Sequence, residues 1–119
     1  MKRILIVDDD KDLLFGLTSL LINKGYKVRT LEQGQLVLQE IKAFHPDLIL
    51  LDVHLKDTNG REICQMLKQN FTTRNIPVIL ISGDKEKPDN GDTSGADLFL
   101  QKPFSLRILY AKLESLIMN

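Results

Sequence analysis

Arg3-Ile4-Leu5-Ile6-Val7-Asp8-Asp9-Asp10 begins with an unbroken run of large apolar residues after Arg3 and stops abruptly in three carboxylates. A run that is apolar at every position, not at alternate ones, reads as a strand buried on both faces and ending in a polar loop. The pattern recurs outward from it. Leu48 to Leu51 ends in Asp52, Pro77 introduces Val78 to Ile81, which ends in Ser82, and Leu98 to Gln101 leads into Lys102. Val28 to Leu31 is a weaker strand. Between these runs the apolar spacing turns helical. Lys11 to Lys24 carries Leu13, Leu14, Leu17 and Leu21, with Asp10 to cap the first turn and Gly25 to stop the last. Gln35 to Phe44 reads as a second helix ended by His45 and Pro46. Asn59 and Gly60 open a third helix with Ile63, Cys64 and Leu67, and Ser105 caps a last one striped by Leu106, Leu109, Leu113 and Leu116. The stretch Asp84 to Ser94 breaks the series: Pro88, Asn90-Gly91 and the lack of any large apolar residue predict at most a short or frayed fourth helix there.

Strands alternating with helices define an α/β fold, a three-layer, doubly wound, five-stranded parallel sheet with its ligand crevice beyond the carboxyl ends of the strands. Length and charge bound the function. At 119 residues the chain is expected to be a single domain, 1–119. Sixteen Lys and Arg balance sixteen Asp and Glu, so no global field draws it to nucleic acid or an anionic membrane. Without a long apolar stretch or a secretory leader pattern, a cytoplasmic location is expected. The single Cys64 lies in a helical pattern and reads as a buried, inert thiol.

The polar residues at the strand ends carry the chemistry. Asp8, Asp9 and Asp52 converge on one sheet edge, and at about 4 Å with an effective dielectric near 20 each carboxylate pair repels by roughly 4 kcal/mol. A hard divalent cation answers that repulsion: Mg2+, with Mn2+ as a possible substitute, takes oxygen ligands from one or two carboxylates plus a phosphate. Lys102 supplies a point charge for Asp52 at rest and for phosphoryl oxygens after transfer, and the Ser82 hydroxyl one hydrogen bond. A carboxylate so surrounded can act as nucleophile in phosphoryl transfer. Each fragment also has a plainer reading. The aspartates could be a solvated turn, with Asp10 a helix cap, Lys102-Pro103 a strand terminus, and Ser82 a loop residue bonding its own backbone. Joint placement favours function. His45 and His54 lack the spacing of a zinc pair.

Val7-Asp8-Asp9-Asp10, Asp47 to Asp52 followed by Gly60, Ser82-Gly83, Gly95-Ala96-Asp97 and Lys102-Pro103-Phe104 stand in an order and spacing that closely resembles the receiver domains of two-component response regulators. The resemblance covers essentially the whole chain. It implies strand order 2-1-3-4-5, Asp52 as phosphoacceptor, Asp9 as direct and Asp8 as more indirect metal ligand, and a metal contact from the main-chain carbonyl of His54. It implies Ser82 and Lys102 on the phosphoryl group, Phe99 at the switch-aromatic position, and a histidine kinase or phosphotransfer protein as phosphohistidine donor. His54 and Asp84 would flank the path of the hydrolytic water. Such a protein is not a conventional enzyme, although it assists its own phosphorylation and dephosphorylation. Two departures stand out: Lys56 occupies a position usually held by proline, which predicts a looser, more cationic loop, and the Asp84 to Ser94 segment is unlike the usual fourth helix.

A phosphatase of the haloacid-dehalogenase type would need a second acid where His54 stands, and a flavin or nucleotide binder would not place three aspartates after its first strand. The alternative left is a phosphorylation-independent interaction module of the same fold. Output is expected through a downstream effector protein or a C-terminal effector domain, with protein contact the only route if residues 1–119 are the whole protein.

Overall fold

The computed structural model describes residues 2–83 and 94–117. In chain order these form β1 (Arg3–Val7), α1 (Lys11–Asn23), β2 (Lys27–Leu31), a 3-10 turn (Gly34–Leu36) running into α2 (Val37–Phe44), β3 (Leu48–Asp52), α3 (Gly60–Gln69), β4 (Val78–Ser82), β5 (Leu98–Gln101) and α4 (Leu106–Ile117). The strands pair in parallel in the order β2-β1-β3-β4-β5. The chain therefore leaves β1 for one side of the sheet and later returns to the other, opening a crevice at the carboxyl ends of β1 and β3.

The unbroken apolar runs divide between two layers because successive strand side chains point to opposite faces. Ile4, Ile6, Leu48, Leu50, Ile79, Ile81 and Leu100 pack with Leu14, Leu17 and Leu21 of α1 and Leu109, Leu113 and Ile117 of α4. Leu5, Val7, Ile49, Leu51, Val78 and Leu80 pack with Val37, Ile41 and Phe44 of α2 and Ile63, Cys64 and Leu67 of α3. Each fully buried Leu or Ile contributes about 1.5–3 kcal/mol, so strands interleaved on both faces dominate the stability of the fold. The two edge strands are the less buried ones: β5 buries only Leu100, and β2, in keeping with its weaker apolar run, buries none of its residues fully.

Most ends follow local chemistry. Asp10 Oδ1 accepts from the amides of Asp12 and Leu13 at 3.1 Å each, Asn59 caps α3 through the Arg61 amide at 2.8 Å, and Ser105 Oγ accepts from Ile108 N at 3.2 Å. Gly25 takes a left-handed φ of 97° after α1, and His45 does so after α2 with φ 54°. Two expectations shift. α2 begins at Val37, not Gln35, because the preceding residues form a tighter turn whose amides are held from elsewhere in the chain. In α4 the buried stripe is completed by Ile117, while Leu106 remains 40 % exposed. Of the Asp84 to Ser94 stretch only Ser94 lies among the described residues, so the expected short fourth helix and the position of Asp84 fall outside them.

Candidate functional site

The crevice is built from strand ends. Asp52 is the last residue of β3 and Ser82 the last of β4, Asp8 and Asp9 follow β1 directly, and Lys102 follows β5. The sheet register brings these five together from positions up to 94 apart in sequence. Asp8, Asp52 and Ser82 are buried, and carboxylate oxygens of Asp8, Asp9 and Asp52 lie within 4.8 Å of one another. Lys102 Nζ sits 3.0 Å from Asp8 Oδ2 and 3.2 Å from Asp52 Oδ1, so one ammonium bridges two strands. The Lys102 amide donates to the Ser82 carbonyl at 2.8 Å, fixing the base of its side chain beside β4.

Charge is not balanced within this group. Burial, then the nearby Asp8 carboxylate, push the Asp52 carboxyl above the ordinary carboxylate range, and Lys102 offsets them only in part. Burial works against the Lys102 ammonium, but its bonds to Asp8 and Asp52 outweigh that and hold its pKa up. The acidic donors are all oxygens, with neither imidazole nor thiolate among them, and this suits a hard cation such as Mg2+ better than zinc.

The loop after β3 frames the site. Gly60 N donates to the Val53 carbonyl at 2.7 Å, and His54 and Asn59 pair across the loop. Gly60 itself lies against β3: a Cβ there would stand 2.1 Å from the Asp52 carbonyl oxygen. The His54 side chain is exposed, and the residue lines a cleft shared with Asp9. Phe99 is half-buried against the α2 and α3 layer.

Local reading missed three features. Asp8 shares Lys102 with Asp52 and also accepts from the Asp10 amide at 2.9 Å. Asp57 accepts from the amides of Gly34 and Gln35, a bond pair across more than twenty residues that no local pattern announces. Lys68 Nζ binds Asp97 at 2.7 Å and the Ile76 carbonyl at 2.8 Å, while Asp97 also accepts from Val78 N at 2.8 Å. The only hint of this last tie was Asp97 in the fragment Gly95-Ala96-Asp97, and it anchors α3 to β4 without entering the crevice.

The family model of the response regulator receiver domain matches residues 4–114. The chain belongs to that family. Among relatives of this receiver, the alkaline phosphatase synthesis transcriptional regulatory protein PhoP of Bacillus subtilis is 34 % identical over 118 residues, covering 98 % of the receiver and 48 % of PhoP. The DNA-binding response regulator MtrA of Mycobacterium tuberculosis is 32 % identical over 116 residues, covering 96 % of the receiver and 50 % of MtrA. The receiver thus spans about half the length of these curated relatives. Its fold is shared with a putative response regulator from Chloroflexus aurantiacus (TM-score 0.90, 30 % identity, 99 % and 98 % of the two chains covered). The response regulator TrrA from Thermotoga maritima, solved in complex with Mg(2+)-BeF, is also similar (TM-score 0.87, 28 % identity, 98 % and 100 % covered). Among the described residues no helix is long and apolar enough to cross a membrane.

Proposed function

We propose that this receiver accepts a phosphoryl group on Asp52 from a phosphohistidine of a histidine kinase or phosphotransfer protein, working as one domain in the cytoplasm. The observation that carries this reading is the placement of Asp52 between two further carboxylates and the Lys102 ammonium, all at the carboxyl edge of a parallel sheet. Asp52 Oδ attacks phosphorus, the phosphorus–nitrogen bond breaks, and the donor imidazole leaves with the bonding pair and takes up a proton. Lys102, released from Asp52 as the carboxylate loses its own charge in forming the acyl phosphate, turns to the phosphoryl oxygens, and the Ser82 hydroxyl donates to another. Asp8, Asp9, Asp52 and the His54 carbonyl would hold Mg2+, or Mn2+ in its place. The bound cation supplies charge neutralisation for the transferred group.

The Mg(2+)-BeF complex of TrrA supports the cation by analogy. Output would pass through Phe99 and its surroundings to an effector protein or domain. PhoP and MtrA are named as a transcriptional regulator and a DNA-binding regulator, whereas the balanced charge of residues 1–119 gives them no global field toward nucleic acid. Incubation with acetyl phosphate and MgCl2, followed by intact-mass measurement, tests the reading. A single added phosphoryl group on wild type and none on Asp52→Asn is expected. Equal labelling of both would refute it, and labelling of neither would favour the phosphorylation-independent module.

A further inference from the structure

The loop between β3 and α3 is the part of the site with the least obvious source of order, since it contains no proline to fix one of its φ angles and has Lys56 four residues after Asp52. It is nonetheless tied at both ends. At its root, Gly60 is hydrogen-bonded to Val53 and pressed on the Asp52 carbonyl, and the His54–Asn59 pair closes the turn. Val53 and Leu55 point into the α2 and α3 layer, which sends His54 between them outward. At its tip, Asp57 Oδ1 accepts from Gly34 N and Oδ2 from Gln35 N, both at 3.0 Å. Both carboxylate oxygens are thus used, one per amide, at a helix start whose own N-cap position, Leu36, offers no side-chain bond. Contact there is close: a Cβ at Gly34 would stand 2.5 Å from Thr58 Cγ2 and 2.9 Å from Leu55 Cδ1. The same loop, residues 53–59, shares a cleft of about 440 Å³ with Asp9.

We infer that Asp57 is a positioning residue for the divalent-cation site: by clamping the loop tip to the first turn after β2, it sets where the His54 backbone stands relative to Asp8, Asp9 and Asp52. This rests on the proposed function and adds to it a residue outside the strand-end cluster. A carboxylate that only capped a helix would affect stability alone. A clamp should also affect metal affinity, because a ligand held by its supporting partners loses affinity when they are removed.

Calorimetric titration of the 119-residue chain with MgCl2 separates the possibilities. Asp57→Ala is expected to weaken binding about tenfold, the lower end of the effect of removing a ligand's supporting partner. Asp57→Asn, whose amide oxygen still accepts one of the two bonds, should fall between Ala and wild type. Ile41→Val, a one-methyl core truncation in α2 that leaves both Asp57 hydrogen bonds in place, should lower the melting temperature and leave the affinity unchanged. Amide exchange at Gly34 and Gln35 should quicken in Asp57→Ala, showing that the clamp has opened. Wild-type affinity in Asp57→Ala would overturn the inference. So would equal losses in Ala and Asn, which would mean charge and not position, or a loss in Ile41→Val as large as in Asp57→Ala. A wild-type chain with no Mg2+ binding at all would bring down the cation site itself, and this inference with it.

Discussion

Replacing Asp52 by Asn should stabilise the metal-free protein at neutral pH, although it destroys the group proposed to do the chemistry. Asp8 and Asp9 each lie within 4.8 Å of Asp52, so at an effective dielectric near 20 each repels its charge by about 3.5 kcal/mol. Lys102 at 3.2 Å returns about 5 kcal/mol, which leaves about 2 kcal/mol against the ionised carboxylate before burial is counted. Burial has the same sign. The pH dependence follows from the direction of the shift. The folded pKa of Asp52 is raised above its unfolded value, so its contribution is fully present below the unfolded pKa and is lost as pH rises through the folded one. Urea unfolding in EDTA should therefore show Asp52→Asn more stable than wild type at pH 7.5, with the gap closing as pH falls through the raised folded pKa and gone below the ordinary carboxylate range. Added MgCl2 should raise the stability of wild type more than that of the variant, since a ligand stabilises the form that binds it better. A variant equal to or less stable than wild type at pH 7.5 in EDTA would refute the electrostatic reasoning.

Lys102→Gln leaves Asp8 and Asp52 buried without their cation and should destabilise the metal-free protein by about 3 kcal/mol, the low end for a broken buried pair because Lys102 keeps part of its side chain in water; urea midpoints at constant slope will measure it. Gly60→Ala drives a methyl into the Asp52 carbonyl and should cost about 3 kcal/mol, the upper end of overpacking, so an unchanged melting temperature would show that the loop yields freely. Hydrogen bonds from Gln35, assisted by Gly34, hold the Asp57 carboxyl below the ordinary range, so its contribution is present above the unfolded pKa and lost as pH falls through the folded one. The stability difference between wild type and Asp57→Ala should accordingly shrink on acidification. Exchanging His54, two residues past Asp52 and exposed, should change the lifetime of the phosphorylated form at fixed MgCl2 without abolishing labelling, as followed by mass over time.

Strands were the most legible part of the chain. Runs such as Ile4 to Val7 and Leu48 to Leu51 are apolar at every position, and only burial on both faces explains that, so their ends and the residues hanging from them could be placed before any coordinates. Asp8, Asp9, Asp52, Ser82 and Lys102 do gather at one edge, as strand-end placement requires. The expected pairing of Lys102 with Asp52 is present at 3.2 Å; what stayed hidden is that Lys102 is shared with Asp8, at 3.0 Å, which nothing in the residue types announces. The start of α2 was misplaced for a related reason. The amides of Gly34 and Gln35, in the turn just before it, are satisfied by Asp57, which belongs to another loop, and a local reading of caps has no access to a donor and acceptor brought together only by the folded sheet. The Lys56 departure predicted a looser loop from the loss of proline alone, and the Asp57 clamp supplies a tie that this expectation did not contain.

The Lys102 bridge also has a consequence for how the protein comes into being. Its two partners, Asp8 and Asp52, are made early, whereas Lys102 closes a separation of 94 residues to Asp8. On the ribosome, a nascent chain that has released β1 and β3 already exposes its acidic strand ends but lacks the cation that compensates them. The crevice is electrostatically incomplete until β5 is added at the far edge of the sheet. Synthesis itself thus imposes an order: the apolar layers can begin to assemble on partial chains, while the acidic crevice waits for Lys102, the residue after β5, before its charge is offset.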